Sequence, residues 1–336
     1  MKTPQNTQQI GLLEKLTLQF DKKFQYAPYI YMLICSTTMS LLQLCIKIEQ
    51  EISVFQILMI RGMISYCINY RAASYDRYEV YPKNKQTNSL LIQRGTIQSL
   101  TVFFMFTGCQ MIELGIANIL WLSNPLWTVI VSVIFYNQKF NVGLLKYIIL
   151  CFVGIILIFK PPAFLVSSKI EEIVDENQEQ LNEPSYFDFI PDNYRQIIGQ
   201  SVSLLAAILF AFLANISSKL KGKTSPSILL QYMYVGNITF SGCMLIAFGY
   251  SSTKPFSSFY HIGMMLIITV LSLVSQYFMQ LALMKANPQK VVPLIQIQVL
   301  YAVIYDYFIF GNIIQPGSVI GSILIVFCCY RIAVKK

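Results

Sequence analysis

The chain has 336 residues, of which 55% are hydrophobic and only 12% charged, with a formal net charge of +9. Soluble domains run at about 45–50% apolar and about 25% charged, so a soluble chain of this composition would lack the polar side chains to cover its own surface. The positive balance does not point to nucleic acid, because the basic residues are scattered as punctuation between apolar runs and form no patch.

The first 26 residues are polar, and no cleavable signal peptide is visible. Within them Leu13, Leu16, Phe20 and Phe24 recur at helical spacing among Lys15, Lys22 and Lys23. That pattern fits either an amphipathic helix on the cytoplasmic leaflet or a polar tail. Beyond them the sequence is a series of long apolar runs. A bilayer core of about 30 Å needs about 20 apolar residues as helix, and the backbone must be satisfied within the segment. The runs predict ten transmembrane helices at 27–46, 52–69, 95–112, 116–135, 142–159, 197–217, 227–249, 259–281, 291–310 and 317–331. The expected fold class is therefore an all-α integral membrane protein.

Charge placement gives an independent test. With the N-terminus cytoplasmic, only Lys47, Lys160, Lys169, Arg195 and Lys254 fall on the far side, and Arg61 lies mid-span. Every other lysine and arginine, Arg94 included, falls on the cytoplasmic side, as the positive-inside rule requires. Both termini, including the tail 332–336, are thus expected in the cytoplasm.

The connection 161–196 carries Glu171, Glu172, Asp175, Glu176, Glu179, Glu183, Asp188 and Asp192, half of the chain's 16 acidic residues. Its low hydrophobicity and high charge read as a linker. It divides the chain into halves, 27–160 and 197–331, of five spans each. An odd number of spans per half means that the second half enters from the opposite side, so the halves form inverted repeats. Gln138 precedes Gly143 by the same interval as Asn312 precedes Gly317, a weak internal echo. Carriers commonly use inverted repeats with a solute site near the midplane.

Residues 58–65 (LMIRGMIS), 118–128 (NILWLSNPLWT) and 298–311 (QVLYAVIYDYFIFG) resemble the drug/metabolite transporter superfamily. The similarity is to its EamA-type members and the related solute carrier family 35, and it extends from about Ala27 to Arg331. The resemblance implies ten helices in two inverted five-helix halves, a central cavity and alternating access. Family members usually carry Glu where Gln138 and Asn312 stand, and a neutral amide cannot titrate or pair with a cation. Phosphate-carrying relatives place Lys or Arg pairs in late helices. The ninth span has no cation within it, Lys290 lying at its mouth, which weighs against a sugar phosphate or nucleotide sugar.

Candidate substrate-binding residues follow from polar side chains placed inside spans. Arg61 sits near the middle of the second span, where a cation is costly. It either contacts a polar or anionic substrate group, or clamps neighbouring helices. In the ninth span Gln298, Tyr301, Tyr305 and Asp306 share one helical face, a polar and aromatic wall suited to a solute; Asp306 can also be interfacial and hydrated. In the fourth span Asn118, Trp121, Pro125 and Thr128 fall on one face with Asn124 beside it, and Pro125 permits a kink. Gln98, Gln276 and Gln280 complete the set, with interhelical hydrogen bonding as the alternative.

Gly317 and Gly321 form a small-xxx-small pair for close helix contact, in the bundle or in a homodimer. The eight cysteines show no metal or disulfide spacing, and His261 is the only histidine. No metal or cofactor is expected, and a lipid-processing enzyme, which needs grouped His, Asp or Cys, is disfavoured. The expected partners are the bilayer and a small-molecule solute, for a secondary carrier of a polar organic metabolite. The alternative is a non-transporting membrane scaffold or regulator on a carrier fold.

Overall fold

The structure is a computed structural model that describes residues 24, 26–48, 52, 54–74, 78–111, 120–137, 142–159, 191–247, 258–308 and 316–334. The amphipathic stretch before Phe24, nearly all of the acidic linker, Asn118, Gln138 and Asn312 lie outside the described residues. All regular secondary structure among the described residues is helical: α1 (Ala27–Ile48), α2 (Val54–Ser74), α3 (Lys85–Met111), α4 (Asn124–Tyr136), α5 (Val142–Phe159), α6 (Asp192–Lys219), α7 (Pro226–Ala247) and α8 (Phe259–Lys285). The ninth predicted span is built from α9 (Pro288–Val291), a 3₁₀ stretch (Val292–Ile297) and α10 (Gln298–Phe308), and the tenth is α11 (Pro316–Val334).

The ends of these helices follow from local chemistry. At α7 the Ser225 hydroxyl accepts from the Ile228 amide at 3.3 Å, and Pro226 opens the helix without losing a donor. At α8 extended Ser258 accepts from the Tyr260 amide at 3.2 Å. At the end of α4 Asn137 takes the left-handed conformation (φ 49°) and donates its backbone N–H to the Ser132 carbonyl, a position that favours Asn or Gly.

Three expectations are corrected. The third helix starts at Lys85 and not near Gly95, so Arg94 is an interior residue, fully buried, and does not flank a cytoplasmic loop. Polar residues at the head of a helix defeat a rule based on apolar runs, yet nothing between Lys85 and Arg94 breaks the helix. The fourth span is not one helix with a proline kink: residues 122 and 123 form a turn, and Pro125 lies in the first turn of α4. The ninth span is interrupted, as described above.

Four helical stretches are long and apolar enough to cross a bilayer by length and composition: Ala27–Ile46, Tyr194–Lys219, Pro226–Ala247 and Phe259–Lys285. Asn124–Tyr136, Gly143–Leu157 and Val319–Ile332 are shorter apolar helices. Large apolar side chains point outward, among them Phe259, Ile246, Phe308 and Ile323, while Arg61, Arg94, Asn124 and Gln280 are buried. Such an inverted surface suits lipid as solvent.

The chain packs as two compact units, one of residues 1–99 and 216–287, the other of 100–215 and 288–336. Each draws on both sequence halves. In the first unit α1 packs on α8 and α2 on α7, around Leu42, Ile57, Met265 and Ile268 and a second cluster of Leu230, Met233 and Tyr234. In the second unit α5 packs on α11, with Val129, Leu144, Ile148 and Ile332 as a core. The pairs α2–α7 and α5–α11 join the second segment to the seventh and the fifth to the tenth, the self-pairings that a twofold relation between halves produces.

Small residues set the closest approaches. A β-carbon at Gly95 of α3 would sit 2.7 Å from the Tyr232 carbonyl oxygen of α7, and one at Gly154 of α5 would sit 3.0 Å from the Gly321 carbonyl of α11. The close contact expected of Gly321 is thus made inside the chain, and a homodimer through Gly317 and Gly321 would compete with it.

Candidate functional site

In the second unit two helix breaks meet. Pro125 has no amide proton, so the helical hydrogen bond to the Trp121 carbonyl cannot form. The Leu126 amide then bonds to the Ser123 carbonyl at 3.0 Å and leaves the Leu122 carbonyl without its helical donor. The side-chain amide of Gln296, within the 3₁₀ stretch, donates to that Leu122 carbonyl at 3.2 Å. This 3₁₀ run spans six residues with Pro293 in its first turn, longer than the three or four that are usual, and such runs mark hinges. The fourth and ninth segments, equivalent in order within the two halves, are therefore both interrupted and tied to each other across the break.

Side chains at the break are polar, buried and only partly satisfied. Asn124 is fully buried, and neither its amide nitrogen nor its amide oxygen has a hydrogen-bond partner among the described residues; the Gln296 oxygen is in the same condition. Each such atom costs about 1–3 kcal/mol relative to a paired one, so stability does not account for them. Trp121 meets Phe210 of α6 edge-on at 5.4 Å. One turn beyond Asn124 the Thr128 hydroxyl donates to the Asn124 carbonyl at 2.8 Å, and Ser132 donates to the Asn215 side chain of α6 at 3.0 Å.

The first unit holds a second polar group along α2, α3 and α7. Arg61, Ser65 and Asn69 follow one another at intervals of four and share a face of α2. Asn69 is fully engaged, its amide donating to the Ser227 carbonyl and to the Gln231 side chain, both at 2.8 Å. Arg61 and Ser65 are not: Arg61 Nε and the Ser65 hydroxyl have no partner among the described residues. Arg94 of α3 is anchored by Nε to the Ser217 hydroxyl and by Nη1 to the Leu229 carbonyl, each at 3.0 Å, and its Nη2 is unpaired. Tyr234 of α7 interacts electrostatically with both arginines and with the neighbouring Ser65 hydroxyl.

The predicted site residues thus fall into two groups. Trp121, Asn124 and Pro125 gather at the break in the second unit, where Gln298 opens α10 and is buried, with Tyr301 and Tyr305 half-buried along it. Asp306 lies on α10, but its side chain is outside the described residues. Arg61, Gln98, Gln276 and Gln280 are buried in the first unit. The Gln98 and Gln276 oxygens and both amide atoms of Gln280 lack partners among the described residues. Sequence reasoning missed Arg94, Tyr234 and Gln296. A signal existed for the last in Pro293, two residues into the predicted span. Among the described residues no group of three or more His, Cys, Asp or Glu side chains is placed to hold a metal ion.

Buried polar stripes, outward apolar side chains and paired helix interruptions define the class of the molecule: a polytopic helical membrane protein of the transporter kind. The EamA-like transporter family matches the sequence twice, over residues 27–160 and 197–334, and the chain belongs to that family. No curated protein matches the sequence. A solved crystal structure is similar in fold, with a TM-score of 0.68 and 12% identity over 91% of this chain and 96% of that one.

Proposed function

We propose that the chain is a secondary carrier that moves a small polar organic metabolite by alternating access, with ten spans arranged as two inverted halves and both termini in the cytoplasm. The observation that carries this reading is the tie between the interrupted fourth and ninth segments, with the Gln296 amide on the Leu122 carbonyl at 3.2 Å. Interrupted helices at corresponding places in two halves mark carrier binding sites, because irregular backbone is tolerated at membrane depth only where protein or a polar cavity satisfies it. The unpaired side-chain atoms of Asn124 and Gln296 are placed to exchange partners as the segments move.

A thermal-shift screen of the detergent-purified protein against amino acids, organic cations, nucleosides, nucleotide sugars and carboxylates tests the reading. A ligand specific to the folded state at about 100 times its Kd adds about 2.7 kcal/mol, a readable shift. The shift should be weakened in Asn124→Leu, which keeps the branching and heavy-atom count of the side chain and removes both polar atoms. A folded protein that no panel member stabilises, or a hit indifferent to Asn124→Leu, would count against a solute site at the break.

A further inference from the structure

We propose that Arg61, Arg94, Tyr234 and Ser65 form a binding site for the anionic group, carboxylate or phosphate, of a soluble organic solute. This deepens the carrier reading and rests on it. The unpaired atoms of this group are of one kind. Arg61 Nε, Arg94 Nη2 and the hydroxyls of Tyr234 and Ser65 are all buried, all without partners among the described residues, and all able to donate. Two guanidiniums and two hydroxyls are a donor set that an oxyanion satisfies.

The charge balance points the same way. No acidic residue occurs anywhere between 216 and 287, and among the described residues before Leu100 the only one is Glu79, which is exposed. Two cations are therefore buried in a helical unit whose one carboxylate among the described residues, Glu79, is exposed. Burying an ion without a counter-charge costs several kcal/mol even after relaxation, and a fixed clamp would spend the donors of Arg61 on helix carbonyls. Arg94 is held by two 3.0 Å bonds that leave one nitrogen directed elsewhere. It is held in place with Nη2 left to make a charge-assisted hydrogen bond to an oxyanion. The absence of a cation from the ninth span spoke against anionic cargo, but α2 and α3 each carry a buried one.

The test uses the full chain in phosphatidylcholine nanodiscs, with malate and glucose 6-phosphate as anionic probes, choline and uridine as controls, and a parallel sample in phosphatidylglycerol. Malate or glucose 6-phosphate should raise the melting temperature, and choline and uridine should not. Arg61→Met should weaken the anion about tenfold or more and Tyr234→Phe by a smaller factor. Because Arg61→Met removes an uncompensated cation, it should also leave the unliganded melting temperature unchanged or raised, which keeps the test valid if Arg94 variants fail to fold. A lowered unliganded melting temperature with unchanged anion affinity would make Arg61 a structural clamp and overturn the proposal. Stabilisation by phosphatidylglycerol alone would overturn it too, since the arginines would then serve a lipid. Proteoliposome uptake separates the two readings. Anion binding without uptake sustains the site and removes the carrier, whereas uptake of choline or uridine with no anion binding sustains the carrier and removes the site.

Discussion

Gly95→Ala measures how tightly α3 and α7 are locked. The added methyl would lie 2.7 Å from the Tyr232 carbonyl oxygen and 3.1 Å from its carbon, both backbone atoms that no rotamer change can move. The opposing glycine is equally constrained, a β-carbon at Gly236 meeting the Gly95 carbonyl at 3.0 Å. The helices must separate, and the bonds across them weaken: Tyr232 hydroxyl to Asn88 at 2.9 Å, and Arg94 to the Leu229 carbonyl. Overpacking of this kind costs about 1–3 kcal/mol, against a helix-propensity gain for Ala over Gly of about 0.5–1 kcal/mol, so a net loss is expected. Gly242→Ala in α7 is the control, because a β-carbon there meets nothing within 4 Å and only the propensity gain applies. Thermal unfolding of the purified variants should give opposite signs, Gly95→Ala melting lower than the parent by a few degrees and Gly242→Ala equal or higher. Equal melting temperatures for the two alanine variants would refute the close approach.

Further outcomes follow from the hydrogen bonds. Asn69→Leu removes two buried 2.8 Å bonds and strands the Gln231 side chain, so it should cost about 1–3 kcal/mol; Ser74→Ala, at an exposed helix end, should stay within about 0.5 kcal/mol. Gln296→Leu leaves the Leu122 carbonyl without its donor, and hydrogen exchange over residues 120–127 should speed up relative to α5; unchanged exchange would deny that the two breaks support each other. Ser132→Ala and Asn215→Leu should couple by about 0.6 kcal/mol in a double-mutant cycle, near the average for interhelical bonds in membranes, and strict additivity would contradict the 3.0 Å bond between them.

Much of the fold was legible in the sequence because lipid imposes simple rules. The fifth span was read at 142–159 and is observed as Val142–Phe159, since an uninterrupted apolar run bounded by polar residues admits little else. The third helix was truncated by the same reasoning: its first turns carry Gln86, Thr87, Asn88, Ser89 and Gln93, polar residues that an apolar-run rule assigns to a loop but that an unbroken helix tolerates. That truncation hid Arg94. The site at the break was half visible. Pro125 and Asn124 stood out, but in the ninth segment α-helical periodicity selected Gln298 with Tyr301 and Tyr305. The backbone is 3₁₀ as far as Ile297, so that periodicity does not extend to Gln296, the side chain that makes the tie. The arginine–tyrosine group was not legible, because it depends on which face of α7 meets α2 and α3.

Uptake into proteoliposomes tests the central claim most directly. Full-length protein would be reconstituted and given a radiolabelled solute that raises its melting temperature, with Gln296→Leu and protein-free liposomes alongside. Saturable, protein-dependent uptake that falls in Gln296→Leu is the result expected of a carrier whose fourth and ninth segments move as a tied pair. Uptake no greater than in protein-free liposomes, for every solute that binds, would contradict transport by this chain.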